Sequence, residues 1–329
     1  MVLLEGQTLG SGASGLTGGM ALAESAAGNL PGLGDVLGGY RQILRGLEID
    51  AELTLRGAFE LGRSGGLPRS PIHWNDSGDL RVVHKIPGGT VNPGKVVAGL
   101  ARSAERSGAQ IVEQTEVREI TRVSGSPAGD GFALRLAVRF KKGGKTQTGS
   151  LHAGRVLLAT NAFSLGLSDL PVAQPKLTMA LATAPLSSGQ IRALGWESRR
   201  PFYTIDLPYL WGRLLNDNRA IFGAGLVHAP NERNLDNLDV RKGEAAERLV
   251  WLEARVRKLH PAIEKVRVTH LWGGPILLTE GGKPVFREHP RLPEVTVLAG
   301  FNGHGVALSV YLGRWAAEAL LGRRRLPHW

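Results

Sequence analysis

The sequence contains no cysteine, which excludes disulfide bonds, thiolate metal sites, a cysteine nucleophile and a cofactor attached through cysteine sulfur. No apolar run reaches the roughly 18–20 residues that a membrane-spanning helix needs. The N-terminal segment MVLLEGQTLG has neither a basic stretch nor a long apolar stretch, so it lacks the pattern of a secretory signal peptide. We therefore expect a cytoplasmic protein without a membrane span, and we predict no metal site.

Acidic residues are scarce relative to basic ones, and the formal net charge is +11. Such a charge can attract nucleic acid, membrane surfaces or anionic ligands. The basic residues are spread along the whole chain, however, and the densest run, Arg323–Arg325, lies at the end of a predicted helix. No motif that reads a nucleic-acid groove accompanies them, so we predict no nucleic-acid partner. A basic nucleic-acid-binding module stays as a separate alternative, which a salt-dependent shift assay would expose.

Glycine is abundant: the chain has 45, and eleven of them fall in residues 1–39. They follow no G-X-Y period, which excludes a collagen-like fold. Glycine lets a backbone approach another group closely, because it has no side chain. Clustered glycines in an otherwise ordinary globular sequence therefore indicate a main chain packed against a ligand such as a nucleotide cofactor.

Hydrophobic spacing and turn residues predict the secondary structure. Residues 1–5, an apolar run closing on an acid, predict the end of a buried parallel strand. Apolar residues at helical spacing predict a helix over residues 31–57. Other predicted elements include helices over 95–107, 240–259 and 306–321, and strands over 109–120 and 132–140, with a Gly143-Gly144 hairpin turn after the last. A nucleotide-type start, a β-rich middle and a returning strand–loop–helix indicate a discontinuous α/β (α+β) architecture.

The first candidate for ligand binding is Glu5. In dinucleotide-binding folds, an acid at the end of a strand accepts hydrogen bonds from ribose hydroxyls, although a surface acid that ends a strand is the commoner case. The context favours the binding interpretation, since a loop reading G-S-G-A-S-G follows at residues 10–15 and a Gly-Gly pair at residues 18–19.

At this loop the sequence resembles the flavin-dependent amine and amino-acid oxidase family, which includes D-amino-acid, glycine, sarcosine and γ-glutamylputrescine oxidases. In that family the loop lies under the pyrophosphate and isoalloxazine of FAD, and small residues let the ring approach the main chain. The resemblance implies noncovalent FAD, held in part by Glu5, Ser11, Gly12, Ala13, Ser14, Gly18 and Gly19.

Further segments resemble the same family in the same order. Residues 113–120 match a strand whose valine contacts adenine, which implies a cofactor role for Val117; the alternative is a buried strand valine. Residues 155–162 match a turn near the pyrophosphate, which implicates Thr160. The most specific match is residues 298–309, where a strand ends, glycines turn the chain and a helix begins. It implies flavin contacts from Gly300, Asn302, Gly303, Gly305 and Val306.

His304 lies within this turn and is our first candidate catalytic residue, either beside the flavin or in contact with substrate; the alternative is a capping histidine packed in the turn. Residues 272–284 resemble the segment that returns toward the flavin, and Lys283 there is the second candidate, for assisting dioxygen reduction. An exposed lysine in a glycine-rich turn is the competing interpretation. Candidate substrate residues are Tyr203, Tyr209, Trp211 and Arg213, for which ordinary packing is the alternative.

The resemblance implies two domains. Residues 1–39, 85–165 and 286–329 would form a discontinuous Rossmann-like FAD-binding domain, and residues 40–84 and 166–285 a mixed-sheet substrate domain. The family normally has a strand, a G-x-G-x-x-G turn and a helix before the acid-ended strand, and Glu5 leaves no room for them in this sequence. We expect either a start upstream of Met1 or a truncated relative that binds FAD weakly or not at all.

The substrate expectation follows from a missing arginine. Amino-acid oxidases of this family often place an arginine shortly after the Trp-Gly element to bind a carboxylate, whereas this chain has apolar residues at 275–278. An amine is therefore favoured over a simple α-amino acid, unless Arg213 or Arg287 substitutes. The implied function is flavin-dependent oxidation of an amine or amino-acid C–N bond to an imine, with dioxygen or another acceptor reoxidising the flavin. The alternative is a truncated, non-catalytic relative.

Overall fold

The computed structural model describes residues 1–124, 130–139, 146–163, 165–170, 174–228, 235 and 239–329. The strands are β1 Val2–Leu4, β2 Met20–Leu22, β3 Ala58–Gly62, β4 His73–Asn75, β5 Asp79–Ile86, β6 Gly88–Thr90, β7 Gln110–Val112, β8 Thr115–Val123, β9 Gly131–Arg139, β10 Thr146–Ala153, β11 Val156–Leu158, β12 Gln174–Pro185, β13 Phe202–Thr204, β14 Leu210–Leu214, β15 Arg219–His228, β16 Val268–Leu278, β17 Val285–His289 and β18 Leu292–Ala299. The helices are α1 Ala13–Leu16, α2 Val36–Gly46, α3 Pro93–Arg106, α4 Leu165–Ser168, α5 Ser188–Ala193, α6 Gly243–Leu259, α7 Pro261–Glu264 and α8 Gly305–Leu320.

An eight-stranded mixed sheet forms the largest layer, in the order β16-β12-β15-β14-β13-β3-β5-β4. Most neighbours are antiparallel, but β13 runs parallel to β3 and places Tyr203 opposite Glu60. The core beside this sheet is aromatic, and its tilted and edge-to-face ring contacts join Trp74, Trp196 and Phe222. Such contacts stabilise a core beyond the burial of apolar area, so this sheet holds the side chains on its other face in fixed positions.

Two small parallel pairings each join a strand near one end of the chain to a strand from its interior. β1 pairs with β7, and β11 pairs with β18, which returns antiparallel to β17. The parallel strand predicted over residues 1–5 is confirmed, but its predicted burial is wrong: Val2 and Leu3 are 41% and 39% exposed. The reason is that β1 and β7 have no third strand beside them among the described residues.

Local signals explain where the helices begin and end. The Asp35 side chain accepts from the Gly38 amide at 2.8 Å and begins α2. The helix predicted over residues 31–57 is too long, because α2 ends at Gly46 and Glu48 follows in the left-handed region at φ 56°. Asn92 caps α3 in the same way by accepting from the Lys95 amide, and a proline lies in its first turn.

The remaining predicted elements match with small shifts. The helices expected over residues 95–107, 240–259 and 306–321 are α3, α6 and α8. The strand expected over 109–120 divides into β7 and β8, because Gln114 between them has φ 55°, a conformation that no strand accommodates. β9 pairs antiparallel with β10, and the Gly143-Gly144 turn predicted between them lies outside the described residues.

No described helix has both the length and the apolar content needed to cross a membrane. Among the same residues, histidine, aspartate and glutamate form no group of three or more that could hold a metal ion.

Candidate functional site

A cavity of about 1160 Å³ lies between the open face of the large sheet, the glycine-rich loop after β1 and the N-terminus of α8. Its volume exceeds the usual range of small-molecule sites, so it has room for a large ligand. The predicted site residues that line it are Ala13, Ser14, Gly18, Tyr203, Tyr209, Trp211, Asn302, Gly303, His304, Gly305 and Val306. Segments far apart in sequence therefore meet at this cavity.

The glycine-rich loop is held against the sheet by contacts to two tryptophans. The Trp272 indole Nε1 donates to the Leu16 carbonyl at 3.0 Å. Trp211 packs so closely between Gly18 and Gly223 that a Cβ at either glycine would lie about 2 Å from its ring carbons, at 2.2 and 2.0 Å. Glycine is required at both positions, because any side chain would displace the aromatic wall of the cavity.

We expect Gly223→Ala to lower the free energy of unfolding by about 1–3 kcal/mol, because the ring cannot move away while Gly18 blocks its other side. Denaturant titration followed by tryptophan fluorescence measures this loss. Gly149→Ala is the matched control, since Gly149 also lies in a strand but has nothing within 4 Å of an added Cβ. Equal stability of the two variants would contradict the close packing of Trp211.

The turn before α8 is the most tightly organised part of the site. Asn302 has φ 52°, its Oδ1 accepts from the Thr279 amide at 2.7 Å, and its Nδ2 donates to the Gly300 carbonyl at 2.6 Å. The Gly300 amide in turn donates to Asn161 Oδ1 at 2.9 Å. These bonds tie the end of β11, the end of β16 and the end of β18 together. They fix Gly303 and the first turn of α8 at the cavity wall.

His304 precedes α8 and lines the cavity. Its Nδ1 lies 2.9 Å from the carbonyl oxygen of Glu24, so this nitrogen carries the hydrogen and donates it. Burial lowers the pKa of His304, which outweighs the opposing effect of Glu24. The imidazole is therefore neutral near pH 7, with Nε2 available as an acceptor. The ring of Tyr203 lies edge-on, 6.5 Å between ring centroids.

Tyr203 is held by an acid that the sequence analysis did not single out. Its hydroxyl donates to Glu60 Oε1 at 2.5 Å, and Glu60 Oε2 lies 2.8 Å from His84 Nδ1. Burial and the hydrogen bond to Glu60 both raise the pKa of Tyr203, so the phenol stays protonated. The sequence signal for Glu60 is weak: it is the one acid in the strand Ala58–Gly62, and the side chains of its apolar neighbours point to the opposite face.

Two residues that the sequence predicted near the substrate or the flavin, Arg213 and Lys283, do not line the cavity. Arg213 does not line the cavity; it is buried, and its Nη1 donates to the carbonyls of Gly19 and Val91 at 2.8 and 2.6 Å. Burial lowers its pKa to about 10. These bonds position the glycine-rich loop, and the location of Arg213 outside the cavity does not support a role in binding substrate. Lys283 is exposed and does not line the cavity, because the turn at Gly281 and Gly282 directs it to solvent.

Seven further residues expected at the cofactor lie outside the cavity wall: Glu5, Ser11, Gly12, Gly19, Val117, Thr160 and Gly300. Glu5 ends β1, and its Oε1 accepts from the Gln7 amide at 2.8 Å. The Glu5 carbonyl accepts from the Thr115 amide at the start of β8, the strand that also carries Val117. Both residues thus belong to one region of the fold, and their contact with adenosine stays a prediction.

A buried ion cluster anchors the loop at the mouth of the cavity. Asp76 is buried, and both its oxygens accept from Arg255, at 2.8 Å to Nε and 2.6 Å to Nη2. Arg63 donates to the same carboxylate at 2.6 Å. Arg255 also donates to the carbonyls of Pro208 and Tyr209, two residues of the cavity rim. The cluster therefore couples the core to the segment that borders the opening.

Residues 1–319 match the family described as FAD dependent oxidoreductase. This chain belongs to that family. Among curated proteins, it is 28% identical to "Probable oxidoreductase OrdL" of Rhizobium meliloti (strain 1021), over 71% of this chain and 48% of that protein. It is 27% identical to "Gamma-glutamylputrescine oxidoreductase" of Escherichia coli (strain K12), over 74% of this chain and 52% of that protein. The chain thus spans about half the length of these relatives.

The FAD-dependent oxidoreductase fold is also that of solved structures. Glycine oxidase from Geobacillus kaustophilus superposes with a TM-score of 0.72 at 22% identity, covering 98% of this chain and 88% of that one. L-proline dehydrogenase from P. horikoshii gives 0.72 at 17% identity, covering 99% and 88%. At these identities the likeness shows the fold, an α/β fold with a large mixed sheet, as predicted.

FAD is the cofactor of this family, and the cavity suits it. Its wall is built in part from small residues, Ala13, Ser14 and Gly303, which a planar ring system can approach closely. The first turn of α8 begins at Gly305 without a side-chain capping bond, and its N–H groups favour the electron-rich edge of a flavin.

Tyr40 adds a second polar feature that the sequence analysis missed. It is fully buried and lines the cavity, and its hydroxyl has no hydrogen-bond partner among the described residues. A buried hydroxyl without a partner costs free energy, so a polar atom of a bound molecule would satisfy it. Its signal in the sequence is weak, because Tyr40 occupies an ordinary core position of α2.

Proposed function

We propose that this protein oxidises the carbon–nitrogen bond of a small amine to an imine, which water hydrolyses to a carbonyl compound and a shorter amine or ammonia. The observation that carries the proposal is that His304 and Tyr203 face one cavity beside the Gly303–Gly305 turn of an FAD-dependent oxidoreductase. FAD noncovalently bound there would supply the acceptor for the hydride from the carbon next to nitrogen, with dioxygen or another oxidant restoring it.

The proposed role of His304 is to relay the proton that the amine must lose, without retaining it, because burial lowers the pKa of His304. An amine can release hydride only as the neutral base, whereas most aliphatic amines carry a proton near pH 7. Neutral His304, with Nδ1–H bonded to the Glu24 carbonyl, leaves Nε2 to accept that proton. The neighbouring Tyr203 would hold the nitrogen in place during this transfer.

The charged groups of the cavity favour an amine over an amino acid. Glu24 and Glu60 line it, and of the two arginines considered for a carboxylate, Arg213 is engaged by carbonyls while Arg287 lies on the exposed side of β17. Arg248 lines the rim, but it stacks over Trp251 at 5.5 Å. The relative "Gamma-glutamylputrescine oxidoreductase" is named after an amine-bearing compound, which is in line with an amine as the group that is oxidised.

The test is anaerobic mixing of the FAD-loaded protein with a panel of primary and secondary amines, monitoring the yellow flavin absorbance. We expect bleaching with at least one amine, slowed about a hundredfold in His304→Gln, with FAD content unchanged. Analysis of the product as a carbonyl compound confirms the reaction type. Retention of the yellow colour with every amine, in protein that holds FAD, would favour the non-catalytic alternative.

A further inference from the structure

The hydroxyl of Tyr203 has a defined direction, and this direction bears on what the cavity can bind. We infer that Glu60 makes the Tyr203 oxygen an acceptor toward the cavity, so that the site selects molecules with an N–H donor and rejects carboxylates. This inference rests on the proposed function, because it names the substrate class of the same cavity.

The positions of Tyr203 and Glu60 fix the direction in which the Tyr203 hydroxyl donates its hydrogen bond. β13 runs parallel to β3 with Tyr203 and Glu60 as direct partners in the register, and both side chains line the cavity. The hydroxyl oxygen lies 2.5 Å from Glu60 Oε1. An ionised carboxylate can only accept hydrogen bonds, so the single hydrogen of the Tyr203 hydroxyl is donated to Glu60. The lone pairs of the Tyr203 oxygen are what remains for a ligand.

Glu60 is itself held in place. Its second oxygen lies 2.8 Å from Nδ1 of His84, which is on the neighbouring strand β5 and is largely exposed. The two bonds use one oxygen each, so the carboxylate cannot rotate without losing a partner. The raised pKa of Tyr203, caused by burial and by the Glu60 carboxylate, agrees with a phenol that keeps its hydrogen.

The charges that face Tyr203 act in the same direction. Glu24 is close enough to contribute to the same rise in pKa, and it lines the cavity as well. The other ring beside Tyr203 is that of His304, which is neutral near pH 7. A carboxylate at this point would meet two negative side chains and an oxygen lone pair, whereas an amine would meet three acceptors.

The test uses two ligands that share a propyl group, n-butylamine and butyrate, titrated calorimetrically into the FAD-loaded protein. In Glu60→Gln the side-chain amide can donate to the Tyr203 oxygen, which frees the phenol hydrogen to point into the cavity. We expect the affinity for n-butylamine to fall about tenfold and that for butyrate to rise about tenfold. Glu288→Gln is the control for net charge, because Glu288 is exposed on β17.

Opposite changes for the two ligands exclude structural damage, which would weaken both. Loss of the Glu60 charge from the cavity gives the same pattern, so the variant that tests the hydroxyl itself is Tyr203→Phe. Equal losses for both ligands, or no change for either, would overturn the inference. Tyr203→Phe gives an independent measurement: n-butylamine should bind about tenfold more weakly and butyrate no more weakly than before. Unchanged amine binding in that variant would overturn the inference as well, whatever the Glu60 variant does.

Binding does not depend on turnover, so the two proposals fail separately. Amine binding that reverses as described, in a protein whose flavin no amine bleaches, would refute the proposed oxidation and leave the role of Glu60 standing. Bleaching of the flavin by amines, together with an unchanged ligand preference in Glu60→Gln, would support the proposed oxidation and refute the role of Glu60.

Discussion

Asp76→Asn should lower the free energy of unfolding by about 3–5 kcal/mol, the largest loss that we expect from a single side chain in this protein. The side chains of Asp76 and Arg255 are only 4% and 7% exposed, and Arg63 is 15% exposed. An amide of the same size removes the negative charge and leaves these buried guanidinium groups uncompensated. Urea denaturation of the variant and the parent protein measures the difference.

The free energy of unfolding that Asp76→Asn loses should depend on pH. Burial raises the pKa of Asp76, but the hydrogen bonds and charges of Arg255 and Arg63 outweigh it and hold the pKa below its usual range. An acid with a lowered folded pKa stabilises the protein above its unfolded pKa, near 3.9, and stops doing so as the pH falls through the folded value. The difference between variant and parent should therefore be complete at neutral pH and shrink below about pH 4.

Asp79→Asn is the matched control. Asp79 begins the adjoining strand β5 and pairs with Arg81, but its side chain is 56% exposed. Exposed ion pairs contribute about 0–1 kcal/mol, so this variant should unfold close to the parent. A loss below about 1 kcal/mol for Asp76→Asn would contradict the buried cluster, since breaking such a cluster on one side leaves unpaired charge.

Gly305→Leu is expected to remove FAD while the protein stays folded. Gly305 has ordinary helical geometry and lines the cavity, and an added Cβ would lie 3.3 Å from the Cβ of Phe301. The longer leucine side chain must therefore project into the space that we assign to the flavin. We expect at least a tenfold weaker affinity for FAD, roughly the consequence of 1–3 kcal/mol of overpacking.

The measurement is fluorescence-monitored titration of FAD, with circular dichroism to verify the fold. Gly46→Leu is the control, because Gly46 ends α2 on the surface and has nothing within 4 Å of an added Cβ. Undiminished FAD affinity in folded Gly305→Leu would show that this turn does not face the cofactor.

Local patterns in the sequence were sufficient for much of the fold. The helix after Asn92-Pro93 and the turn leading into α8 follow from capping residues and glycines that act within a few positions. The same locality made the family resemblance specific at residues 10–19 and 298–309. The helix predicted over 31–57 was too long, because the spacing of apolar residues does not show that Glu48 has a left-handed backbone conformation, which ends the helix.

Side-chain partners required the tertiary structure. Arg213 stands in an aromatic segment that suggests a substrate site, yet its guanidinium bonds to carbonyls at Gly19 and Val91, 194 and 122 residues away. Lys283 and His304 both follow glycine-rich patterns, and only packing separates the exposed lysine from the cavity-lining histidine.

The sequence by itself determined the family and the α/β class, because each depends on short motifs read in order. The tertiary structure alone decided which way the side chains point and what they bond. The bond between Tyr203 and Glu60 joins residues 143 positions apart, through the parallel pairing of two strands. No local pattern encodes that pairing, since it depends on how the whole eight-stranded sheet is ordered.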